Sequence, residues 1–125
     1  LREIIIPGII FLTIDSIYLT SLSSYYNELL LKIQGKGIEM KYLGVILCYI
    51  FLIYGLYYFI LSRNKKDIKK DTLDAFLLGI VIYGVYETTN YAIIDKWDLK
   101  TVLIDTVWGG TLFSLTTFIS IKYII

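Results

Sequence analysis

Residues 42–62, YLGVILCYIFLIYGLYYFILS, run for 21 positions without a charge. At 1.5 Å per residue a helix of that length reaches about 32 Å, which matches a bilayer hydrocarbon core of about 30 Å. The stretch is rich in Leu, Ile, Tyr and Phe and predicts a transmembrane helix. The whole chain agrees with it. Of its 125 residues, 57% are hydrophobic and the mean hydropathy is +0.69, against roughly 45–50% apolar residues in soluble domains. Gly44 and Cys48 form a small-xxx-small pair suited to close helix approach.

Working outward, residues 4–22 read IIIPGIIFLTIDSIYLTSL and are also long enough to span. Pro7 is expected in the first helical turn, where a missing N–H breaks no intrahelical bond. A signal peptide over residues 4–12 ranks second, because no small-residue cleavage site follows and the apolar run continues past Asp15. Residues 23–41 form a polar connector. Within it Leu29–Leu31 and Ile33 suggest a short interfacial helix, with Tyr25 and Tyr26 at headgroup level and Gly35 and Gly37 ending it.

After the central span comes RNKKDIKKD, residues 63–71, a short loop with five basic residues. It reads as a positive-inside signal and as a surface for anionic lipid. Further spans are expected over residues 72–94 and 101–123, separated by a tight polar turn that puts Trp97 at an interface. Ala75 and Gly79 in the first of these, and Gly110 and Ser114 in the second, offer small-residue contacts. The fold expected is therefore a single all-α domain over residues 1–125. It is an integral membrane four-helix bundle with spans at about 4–22, 42–62, 72–94 and 101–123. An even number of spans puts both termini on one side, and the basic bias makes that side cytoplasmic.

Composition also excludes functions. The net charge is +1 and no basic face stands out, so nucleic acid is not an expected partner. There is no histidine, which removes the commonest metal ligand and neutral-pH base. The single Cys48 makes neither an intrachain disulfide nor a structural zinc site. No phosphate-binding or zinc motif is present, and no cofactor is expected.

Residues 79–90, GIVIYGVYETTN, break the apolar pattern with a carboxylate. Helical spacing lines up Gly79, Tyr83, Glu87 and Asn90 on one stripe that belongs against other helices or a wet cavity. Asp15 and Asp105 pose the same question on other spans. Counted from the outer ends, Asp15 lies about 12 Å deep, Glu87 about 10 Å and Asp105 about 6 Å. Each acid at mid-membrane costs on the order of 2.5–3.5 kcal/mol, and no Lys or Arg lies within the hydrophobic stretches. The acids are then protonated, share a cation or face water. Tyr18, Tyr83, Asn90 and Trp108 lie at turn spacing from one acid or another and offer donors. The competing reading is interhelical glue, worth about 0.6 kcal/mol per pair. Asp74, near the inner end, reads as a solvated helix-start residue.

The segments IDSIYL (14–19), VYETTNYA (85–92), WDL (97–99) and VLIDTVWGG (102–110) together resemble domain-of-unknown-function family 2177, a family of small predicted membrane proteins. Asp15 and Leu19 match a D-x-x-W-L motif, with Tyr18 in place of Trp. Tyr86, Thr89 and Asn90 match Y-D-L-T-N, with Glu87 in place of Asp. Asp105, Trp108 and Gly109 match D-x-x-W-G. The resemblance covers nearly the whole chain and implies four helices and a membrane location. It brings no activity.

Three functions stay open. The first is a membrane carrier or binding protein whose Asp15, Glu87 and Asp105 handle a proton or a hard cation. The second is a structural or assembly subunit, in a homo-oligomer or a larger membrane complex. The third, a membrane-embedded enzyme acting on lipid, ranks last because no His and no activated nucleophile accompanies the acids.

Overall fold

The computed structural model describes residues 2–38 and 41–124, and it is all helix. Five α-helices follow in chain order: α1 Arg2–Ser21, α2 Ser23–Gln34, α3 Tyr42–Leu56, α4 Ile68–Ile93 and α5 Leu99–Ile119. Helix α3 continues as a π-helical turn over Tyr57–Leu61, and α5 does so over Ser120–Ile124. Three of these rods are long and apolar enough to cross a membrane: Arg2–Ser21, Tyr42–Leu61 and Leu99–Ile124. Helix α4 is long, at 26 residues, but it is not among the three rods apolar enough for that set.

Local chemistry sets the helix ends. The Asp67 side chain accepts from the Lys70 amide and caps α4, so Lys69 and Lys70 fall inside the helix and the basic loop is shorter than its charge run suggests. Asp98 caps α5 the same way, accepting from the Thr101 amide at 2.8 Å. Gly35 closes α2 in the left-handed conformation, φ 76°. Because α1 begins at Arg2, Pro7 stands one turn further in than the sequence suggests. Its missing N–H leaves the Glu3 carbonyl without a helical donor.

Packing is organised around α5. Helices α4 and α5 run antiparallel in close contact, and a Cβ added at Gly79 would stand 2.2 Å from the Gly109 carbonyl oxygen. Gly109 in turn lies under the Tyr83 ring, and Gly110 under Phe76 and Ile80. Helix α1 lies antiparallel to α5 on another face, with Phe11 edge-on to Phe113 at 5.4 Å between ring centroids. Arg2 donates to the Ile124 carbonyl at 3.1 Å, so the start of α1 and the end of α5 meet. The buried core joins Phe11, Leu56, Ile60, Leu61, Ala75, Leu112 and Phe113.

Helix α3 buries one edge only, through Leu56, its π-helical end and the half-buried Tyr49, Leu52 and Ile53. Its Gly44–Cys48 pair does not serve close approach within this chain: a Cβ at Gly44 would meet nothing within 4 Å, and Cys48 is exposed. That face points outward, together with Leu43, Ile46, Leu47, Ile50 and Phe51.

Candidate functional site

The acids of α1 and α5 are held by a reciprocal exchange. On α1, Asp15 and Tyr18 are three residues apart; on α5, so are Asp105 and Trp108. Trp108 Nε1 donates to Asp15 Oδ1 at 2.9 Å, while the Tyr18 hydroxyl donates to Asp105 Oδ1 at 3.2 Å. Each helix thus supplies the aromatic donor for the other helix's acid. The two rings stack at 4.4 Å with 2° between their planes. Asp15 also accepts from the Tyr49 hydroxyl of α3, which ties a third helix to the clasp. Asp15 is only 5% exposed, so these two neutral donors replace the water it has lost.

Glu87, on α4, is 1% exposed. Trp97 Nε1, in the α4–α5 turn, donates to its Oε1 at 2.9 Å. Its electrostatic neighbour is Asp105, and the two acids line one cavity of about 480 Å³ with Asn90, Trp97, Tyr26 and Leu30. Helix α2 forms one wall of this cavity. It is fixed there by a 2.9 Å bond between the Tyr18 and Tyr26 hydroxyls and by Tyr25 bonded to Thr101 at 2.6 Å. Where the α5 cap meets this tie, the Thr101 hydroxyl and amide, with Tyr25, hold the Asp98 carboxyl below its ordinary range.

The acids therefore divide two and one. Glu87 and Asp105 face each other across α4 and α5, whereas Asp15 opens toward a separate groove lined by Lys41, Gly44 and Cys48. The clasp joins the two places through Tyr18 and Trp108. Among the described residues, no three His, Cys, Asp or Glu side chains gather as a group fit to hold a metal ion.

The remaining stripe residues lie near the site without bonding to it. Tyr83 covers Gly109 and packs edge-on against Phe113 at 6.3 Å. Asn90 lines the cavity. No described hydrogen bond joins either to an acid.

Sequence reasoning missed the roles of Tyr49, Trp97 and Tyr26. The sequence places Trp97 and Tyr26 at an interface, and both also join the acids' network, Trp97 through Glu87 and Tyr26 through Tyr18. The only signal was their aromatic donors beside the spans, which helical spacing cannot connect across a turn.

A third buried acid lies at the other end of α4. Asp71 is 1% exposed and accepts from Arg63 at 2.7 Å and from the Asp67 amide at 3.1 Å. Asp74, read from sequence as a solvated helix-start residue, is partly exposed and ion-paired to Arg63 at 3.0 Å and to Lys70 at 3.2 Å.

No curated protein and no solved structure matches the chain. A family model described as predicted membrane protein, DUF2177, matches residues 2–122. That match takes in both halves of the clasp and Glu87, and it places the chain in the DUF2177 family of predicted membrane proteins.

Proposed function

We propose that this is a four-span membrane protein whose Glu87 and Asp105 share and exchange one proton inside the bilayer. The observation that carries the reading is the surroundings of Glu87. A carboxyl almost wholly removed from water has an indole and a second acid beside it. Two carboxylates so placed would repel each other if both were charged, and one shared proton relieves the repulsion. A hard cation fits the donor set less well, since such ions take six or more oxygens and Asp15 stands apart from the pair.

Several features support the bundle around this pair. With its charged first turns at the interface, α4 keeps residues 75–93 for the hydrocarbon core, about 28 Å of helix. The bond from Arg2 to Ile124 supports termini on one side. The basic residues around positions 63–70 favour the cytoplasm for that side.

The test is proton uptake by the purified protein in lipid nanodiscs, followed with an indicator dye from alkaline to neutral pH. Wild type is expected to take up one proton more per chain than Asp15→Asn/Glu87→Gln/Asp105→Asn. Equal uptake would overturn the reading.

A second reading, a subunit of a homo-oligomer or larger complex, rests on α3. Only 11% of its span is buried, and the open Gly44 would admit another helix closely. Recovery from mild detergent as a stoichiometric part of a larger particle would favour it; a lone monomer would count against it.

A further inference from the structure

We propose that the cavity over Glu87 and Asp105 binds an amphiphilic amine, an organic ammonium carrying an apolar body. The inference deepens the proposed function and rests on its carboxyl pair. The cavity's volume of about 480 Å³ falls in the range of small-molecule sites, roughly 300–1,000 Å³. Its walls are mostly apolar, with Leu19, Leu30, Ile38 and Ile94 among them, and Ser23, Asn90 and the two acids share the lining.

The charge arithmetic selects the head group. A carboxyl pair holding one proton carries a single negative charge, which one ammonium neutralises. None of the residues lining the cavity is a Lys or Arg that would do so from within. The described ion pairs with Arg63 and Lys70 lie at the other end of α4. Trp97 is the donor that the described hydrogen bonds give to Glu87, and it takes Oε1 alone. An ammonium brings three more donors to the second oxygen and to Asp105. Trp97, Tyr26 and Tyr86 also line the cavity, and aromatic rings attract cations. A divalent ion lacks the ligands here, and an anionic or neutral lipid leaves the acids unanswered.

The probe is dodecylamine, with dodecanol as the uncharged partner of equal tail length, titrated into the protein in phosphatidylcholine nanodiscs. Tryptophan fluorescence reports occupancy. Nanodiscs with added phosphatidylethanolamine form a second arm and show whether a lipid headgroup supplies the ammonium by competing with the probe. Saturable binding of the amine is expected, at least about tenfold tighter than that of the alcohol. Glu87→Gln or Asp105→Asn should weaken it about tenfold or more, the scale of one charge-assisted hydrogen bond. Asp95→Asn, an exposed acid outside the cavity lining, should leave it unchanged. Two acid variants are used so that misfolding of one, seen by circular dichroism, leaves the other to decide.

Equal binding of amine and alcohol, or amine binding indifferent to both acid substitutions, would overturn the proposal. The two inferences part cleanly. A shared proton without amine binding sinks this one alone. Amine binding lost in both variants, with no shared proton, upholds it and sinks the other.

Discussion

Asp71 and Glu87 lie toward opposite ends of α4, and each is 1% exposed. Their partners differ in kind. Asp71 faces the Arg63 guanidinium and a backbone amide, and Asp74 joins the same cation. Asp71 first, and Asp74 after it, push the Arg63 guanidinium further above its already high range. The group is committed to charge and pins the turn between α3 and α4. Glu87 has an indole and another acid. Burial is the same in both places, so burial alone does not decide what an acid does. An acid with a fixed cation is structural. An acid with neutral donors and an acidic neighbour has no fixed cation beside it, as the proposed proton sharing requires.

The strongest way to break this contrast is to remove the cation. Arg63→Gln leaves the Asp71 carboxylate buried and unpaired, and should lower stability by about 2–3 kcal/mol, below the usual figure for a fully buried pair because Arg63 is 33% exposed. Thermal unfolding in detergent measures it. Arg63→Gln combined with Asp71→Asn should cost less than the two changes summed. A loss below about 0.5 kcal/mol, the usual range for surface substitutions, would mean that Asp71 is not held by charge.

A smaller effect sharpens the comparison at the α5 cap. The Asp98 carboxyl is held low by the Thr101 hydroxyl first, so its contribution exists above the unfolded carboxyl value of about 3.9 and disappears as pH falls through the lower folded value. Protection of the Thr101 amide, taken relative to its intrinsic exchange rate, should therefore fall in acid, and Asp98→Ala should remove that fall. Unchanged protection in acid would show that the cap does not depend on the charge.

Much of the architecture was legible in the chain. Apolar length marked the rods of residues 42–62, 4–22 and 101–123, and glycine spacing marked the α4–α5 contact at Gly79 and Gly110. Where the sequence misled, the cause was tertiary. The small pair on α3 carried the same pattern as the one on α4, but α3 turns it outward. Asp15 and Trp108 each have a partner visible at i+3 or i−3 on their own helix, yet both donors cross to the other helix. Spacing reports which residues share a face and not which face meets it. Asp71 was hidden among lysines, where a charge run reads as solvated.

The proposed proton sharing puts one proton between Glu87 and Asp105 at neutral pH. Infrared difference spectroscopy of the carboxyl C=O stretch in nanodiscs tests it most directly. A band from one protonated carboxyl is predicted at neutral pH, present in Asp95→Asn and absent from both Glu87→Gln and Asp105→Asn. No such band in wild type, or one that survives both substitutions, would contradict it.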